Sequence, residues 1–129
     1  MYLFIMTSNP QAEIYLYDGD VKIGETMWLA DRHLAETIHK KIRSLLSLKE
    51  LSEQDLTGIG VFRGPGSFTG LRIGHSVANA FAYSLGLPIV GALGDNWLGD
   101  AVHRLDSGEN DKIVSPFYGA PPRTTKPRK

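Results

Sequence analysis

The groups that could do chemistry gather in one run, Arg63-Gly64-Pro65-Gly66-Ser67-Phe68-Thr69-Gly70-Leu71-Arg72-Ile73-Gly74. Proline fixes its own φ and restrains the residue before it, while the flanking glycines permit φ > 0, so the loop is expected to be tight. Ser67 and Thr69 are both candidate N-caps for a following helix, whose free N–H groups could hold an anion. The run matches neither GxGxxG nor GxxxxGK[ST], and a rigid strand–helix connector is the alternative reading. Ser67 has no assigned base or orienting acid, which argues against a serine nucleophile. His33, His39, His75 and His103 stand in no HExxH pattern and have no cysteine beside them, so no metal site is expected. Asp18 and Asp20 flank a hairpin glycine, where acids serve turns. No catalytic residue is assigned.

The elements around the run must position it. Thr57 to Phe62 (TGIGVF) reads as a strand, and a helical pattern runs from about Thr69 to Leu85, with Gly86 as its C-cap. Gly70, Gly74, Ala78 and Ala82 recur every fourth residue of that helix and form a small-residue stripe. Ile73, Val77, Ala80, Phe81 and Leu85 spread larger apolar groups around the cylinder. Two arrangements fit: a helix buried within its own domain, or one that offers the small-residue face to another helix, including one of a partner chain.

The remaining chain is short. Its 129 residues suffice for one compact domain, and 42% hydrophobic content permits a core. Formal net charge is zero, which argues against non-specific nucleic-acid binding as the main task. Residues 123–129 carry Arg123, Lys126, Arg128 and Lys129 with no acid, leaving residues 1–122 at net −4. The absence of cysteine excludes disulfides and thiolate zinc. No secretion leader or membrane-spanning run is read, so a cytoplasmic location is expected.

In order, strands are predicted at Tyr2–Met6, Ala12–Tyr17 and Val21–Leu29, with Asp18-Gly19 as a hairpin turn. Asp31 is a candidate cap for a helix running to about Leu48, with an apolar stripe of Leu34, Ile38, Ile42, Leu45 and Leu46. Ser52 with Glu53 and Asp55 opens a short helical turn. After the central helix, Ile89-Val90 gives a short strand, Asp95 is a candidate cap for a helix over 96–105, and Lys112–Ser115 reads as a final strand. Residues 116–129, with four prolines, read as an extended tail beyond a lobe of residues 1–115. This order predicts a mixed sheet in an α/β domain of the ribonuclease H-like or actin-like ATPase type.

The run Arg63–Gly74 resembles the signature of the TsaB family, formerly YeaZ. Leu87-Pro88-Ile89-Val90-Gly91, His33 and the tail Pro116–Pro122 also resemble family positions. The resemblance covers roughly residues 1–94 and 116–129. It implies a non-catalytic partner in synthesis of threonylcarbamoyladenosine at position 37 of tRNA. That partner binds the catalytic subunit TsaD through its first and central helices, and the ATPase TsaE joins the larger complex. Carried onto this chain, the interface would use Gly70, Gly74, Ala78, Ala82, His33 and Arg72. The family implies no cofactor held by this chain alone. ATP and Mg²⁺ would be used by the complex, with the interface as the candidate place.

Two departures stand out. Family members are usually much longer, with two lobes, so the chain reads as a minimised member lacking most of the second. Related ATPases carry an aspartate at the end of the first strand; Met6 stands there, and a thioether cannot replace a carboxylate on Mg²⁺-bound water. That weighs against the main alternative, a small-molecule kinase or ATPase of the same superfold. A homodimer formed without TsaD is a second alternative. Trp28 and Trp97 read as either core residues or exposed anchors for the missing lobe's surface. The basic tail reads as a solvated end, a brace anchored by Phe117 and Tyr118, or a tRNA contact, with bracing or partner docking favoured over tRNA.

Overall fold

The computed structural model describes residues 1–117. Five strands, β1 (Tyr2–Met6), β2 (Gln11–Asp18), β3 (Val21–Leu29), β4 (Gly58–Phe62) and β5 (Ile89–Ala92), form one sheet in the order β3-β2-β1-β4-β5. The pairs β1–β2 and β2–β3 are antiparallel, while β1–β4 and β4–β5 are parallel. Two hairpin connections therefore precede two helical crossovers, as parallel pairing requires.

Three helices cover the sheet: α1 (Leu34–Leu48), α2 (Phe68–Leu85) and α3 (Trp97–Asp106). Alternation along the strands divides the core. Leu3, Ile5, Ile14, Leu16, Ile59 and Val61 point towards α1 and α2, where they meet Ile38, Ile42, Val77, Ala78 and Phe81. Phe4, Tyr15, Phe62 and Val90 point the other way and meet Trp97, Ala101, Val102 and Leu105 of α3. Phe4 is fully buried, edge-on to Trp97 with ring centroids 6.1 Å apart. Gly60 makes this packing feasible, because a Cβ there would enter the Phe4 ring. Trp97 is thus core; Trp28 is partly buried against α1, with Nε1 donating to Thr37 Oγ1 at 3.0 Å. Neither tryptophan is an exposed anchor.

Several expected local features change. A short 3-10 turn (Asp31–His33) precedes α1, so His33 rather than Asp31 takes the N-cap place, without a side-chain cap bond. Asn96, not Asp95, precedes α3. Ser52 and Asp55 do form the reciprocal capping box at their short turn. Ser67 wins over Thr69 at α2: its hydroxyl accepts from Gly70 N–H at 3.2 Å. Gly86 closes α2 in the left-handed conformation expected of a C-cap. Lys112–Ser115 is no strand: its backbone bonds go to the Asn110, Asn79 and Arg63 side chains and, from Ile113 N–H, to Asp111 C=O, rather than to β5. The remainder of the predicted tail, 118–129, lies outside the described residues.

The closest packing sits where α2 begins. Thr7 Oγ1 donates to Gly70 C=O at 2.7 Å, and Ser67 N–H donates to Ser8 C=O at 2.8 Å. A Cβ on Gly70 would collide with Thr7 C=O, and one on Gly74 with the Thr7 side chain. Gly74→Ala gains about 1 kcal/mol of helix propensity yet suffers overpacking of about 1–3 kcal/mol, so urea unfolding should show net destabilisation. In a Thr7→Ala background the hydroxyl and methyl are gone and only the residue-7 Cβ, 3.1 Å away, remains, so the same change should cost less than in the wild type.

Candidate functional site

The signature loop occupies the end of the sheet where β1, β4 and β5 all terminate. Its backbone is held from three directions. Arg63 N–H donates to Ala92 C=O at 2.9 Å, Ser67 N–H reaches the β1–β2 turn, and Arg63 C=O accepts from Phe117 N–H at 2.7 Å. Gly64 takes φ +117°, and the Gly64–Pro65 bond is cis. Pro65, Gly66, Ser67, Phe68 and Thr69 are exposed, while Arg63 is half-buried and its Nε donates to Ser115 C=O at 2.9 Å.

Of the hydroxyls around the helix start, Thr69 is exposed and the others are tied to the fold. Thr7 and Ser8 are buried, Thr7 is spent on Gly70, and Ser67 caps α2. Met6 packs against the α3-side cluster. No carboxylate stands at the end of β1. Among the described residues, no group of three or more His, Asp or Glu side chains could hold a metal ion, and no helix is long and apolar enough to cross a membrane.

The expected interface residues separate into two sets. Gly74, Ala78 and Ala82 are buried and Gly70 is partly so; their stripe faces the lobe's own β1 end and core. Of the two arrangements the sequence left open, the packing within the lobe is the first: the small residues let α2 approach the end of its own sheet. Arg72 and His33 are exposed. The Arg72 guanidinium lies 5.3 Å from the Phe68 ring centroid, and His33 Nδ1 is 3.4 Å from Glu36 Oε1.

The outward face of α2 carries Arg72, Ser76, Ala80 and Tyr83, the last 91% exposed. α1 adjoins it through His39, whose ring lies 5.9 Å from that of Phe81. A two-residue shift along the helix, roughly 200° around its axis, leads from the small-residue stripe to this face; the polar residues at 72 and 76 were its only sequence signal. Asn79 was also missed. It is the one amide in the middle of an apolar helix, and it holds Val114 through two hydrogen bonds.

Sheet order, helix placement and loop together define a single lobe of the ribonuclease H-like, actin-like ATPase type. Residues 28–92 match the family model described as TsaD: tRNA N6-adenosine threonylcarbamoyltransferase. The tRNA threonylcarbamoyladenosine biosynthesis protein TsaB of Bacillus subtilis (strain 168) is 38% identical over 123 residues, covering 92% of this chain and 49% of that protein. A tRNA N6-adenosine threonylcarbamoyltransferase of Streptococcus suis (strain 05ZYH33) is 40% identical over 62 residues, covering 48% of this chain and 18% of that one. The solved structure of YeaZ from Pseudomonas aeruginosa matches with TM-score 0.66 at 25% identity, over 71% of this chain and 43% of that one. The chain belongs to the TsaB (YeaZ) family, within the wider group that the TsaD family model describes. It spans about half the length of the curated TsaB relative it matches.

One titratable group is buried beside the loop. His75 is 3% exposed; Nδ1 is 2.7 Å from Leu71 C=O and so carries the proton, and Nε2 has no partner among the described residues. Burial, helped by the Arg63 charge, pushes its pKa below the usual value and outweighs the Leu71 hydrogen bond. The unfolded chain therefore takes up a proton that the folded state refuses, starting near pH 6.5, and stability falls as pH drops below that value. His75→Gln should flatten this part of the stability–pH curve, measured by urea unfolding between pH 7.5 and about 5.5.

Proposed function

We propose that this chain is a non-catalytic partner in tRNA threonylcarbamoyladenosine synthesis, and that the outward face of α1 and α2 binds a TsaD-type protein. The observation that carries the first half is the state of the β1–β2 turn. Thr7 and Ser8 are both buried there, the Thr7 hydroxyl is spent on Gly70 C=O, and no acid stands where Mg²⁺-bound water would need one. The same features weigh against a kinase or ATPase acting alone. ATP and Mg²⁺ belong to the assembled complex in this reading, as does the ATPase TsaE.

The second half rests on which surface is left available. The small-residue stripe is consumed within the lobe, so the interface expected from the family moves to Arg72, Ser76, Ala80 and Tyr83 with His39 and His33 on the α1 side. Gly70, Gly74, Ala78 and Ala82 act beneath it by fixing where α2 lies. An exposed tyrosine and arginine around a small residue suit an interface whose energy is concentrated in a few side chains. The partner is a TsaD-type protein from the same organism.

Size-exclusion chromatography with light scattering tests this. Wild-type chain mixed with the TsaD-type protein at micromolar concentration should give a one-to-one complex. Ala80→Arg places a long charged side chain on the face without touching the core, and should weaken association at least about tenfold at unchanged thermal stability. Equal binding by a folded Ala80→Arg variant would remove α2's outward face from the interface. No complex, even with nucleotide, TsaE and tRNA added, would contradict the partner role.

A further inference from the structure

The stretch from Glu109 to Phe117 is a strap laid along the free side of β5. Its first part closes the sheet edge. Ile89 N–H donates to Asn110 Oδ1, Gly91 N–H to Asp111 Oδ2, and Ile89 C=O accepts from Asp111 N–H. Gly91 C=O accepts from Arg104 Nη1 at 2.7 Å, and Arg104 also pairs with Glu109 and Asp111. Every outward backbone group of Ile89 and Gly91 is thus satisfied.

The second part lies in a groove that reads backbone. The Asn79 side chain donates to Val114 C=O and accepts from Val114 N–H, both at 3.0 Å. Arg63 Nε donates to Ser115 C=O, and Arg63 C=O accepts from Phe117 N–H. One side chain is swallowed: Val114 is 5% exposed and lies against Gly91, where any Cβ would collide with it. Ile113, by contrast, is exposed. An open cavity of about 370 Å³ borders this groove, lined by Arg63, Gly91, Arg104 and Val114 among others.

Between the two parts sits Lys112 at φ +70°, inside a tight turn in which Ile113 N–H donates to Asp111 C=O at 2.7 Å. A side-chain-bearing residue is strained there, and the strain persists only while the flanking contacts hold it. A short hinge under strain, next to a segment that fits a specific groove, is the arrangement that favours exchange of that segment between chains.

We propose that residues 113–117 are an exchangeable latch. The groove formed by Asn79, Gly91 and Arg63 is a binding site for an extended peptide with one buried β-branched residue, and its occupant in trans is the same segment of a second copy. The resulting dimer leaves the outward face of α1 and α2 free, so it is independent of the partner reading above.

The chain has no cysteine, which makes a covalent trap clean. A Gly91→Cys/Val114→Cys variant puts one sulfur in the groove and one on the latch; Val114→Cys removes the γ-methyl that a Gly91 Cβ would meet, and the flexible Arg63 side chain, 2.7 Å from that Cβ, must shift. Oxidised after refolding at low micromolar concentration, it should give an intramolecular disulfide. Oxidised after refolding near millimolar concentration, it should give a covalent dimer joined between chains, and excess synthetic peptide of sequence 112–117 should reduce that dimer at least several-fold. In wild-type protein refolded the same way, light scattering should show a dimer that persists for hours on dilution. Lys112→Gly, which relieves the hinge, should lower its yield. Intramolecular disulfide alone at every concentration would overturn the proposal. So would a wild-type protein that refolds only to monomer, or to a dimer that dissociates at once on dilution, as one formed through the helical face would.

Discussion

Everything at the signature end depends on one close approach, that of the first two turns of α2 to the backbone of Thr7 and Ser8. Gly66, Gly70 and Gly74 have no Cβ to keep the helix away, and the Thr7 and Ser67 side chains fill the gap with hydrogen bonds. Glycine at interior helix positions costs about 1 kcal/mol each relative to alanine, so this contact is retained against local propensity. It sets the axis of α2, and through it the position of the outward face on which a partner would read Arg72, Ser76, Ala80 and Tyr83. The loop's exposed residues and rigid backbone follow from the same docking.

The lobe is sealed asymmetrically. Two helices cover one face of the sheet, while α3 alone covers part of the other. At the β5 edge Arg104, Asn110 and Asp111 satisfy the backbone with side chains. An unpaired edge would offer a template to other strands. The nine-residue β3 is the other edge; a register shift opposite Leu16/Tyr17 and the Lys22–Glu25 ion pair interrupt it. Tyr2, whose hydroxyl donates to Asp106 Oδ1 at 2.5 Å, ties the first strand to the end of α3.

Strands β1 to β4 and helices α1 and α2 were legible because their apolar periods are strong and their boundaries carry turn residues such as Asp18-Gly19 and Gly86-Leu87-Pro88. Caps were harder. Asp31 and Asp95 are good capping residues in isolation, but each lies a residue or more before the helix begins. The small-residue stripe was visible and its close-packing role correctly read; which neighbour it packs against depends on Thr7, more than 60 residues away, and no periodicity encodes that. The strap looked like a strand because Lys112 to Ser115 has strand-like composition. Its bonding to Asn79, Arg63 and Asn110 is a property of tertiary placement alone.

The central claim is that α2 is docked inward by its small residues and presents its other face to a TsaD-type partner. Hydrogen–deuterium exchange of this chain, alone and mixed with that partner, tests it most directly. The account predicts added protection over α1 and the outward turns of α2 around residues 72–83, with β3 and α3 unchanged. Protection confined to β3 or α3, with α1 and α2 exchanging as in the free chain, would contradict it.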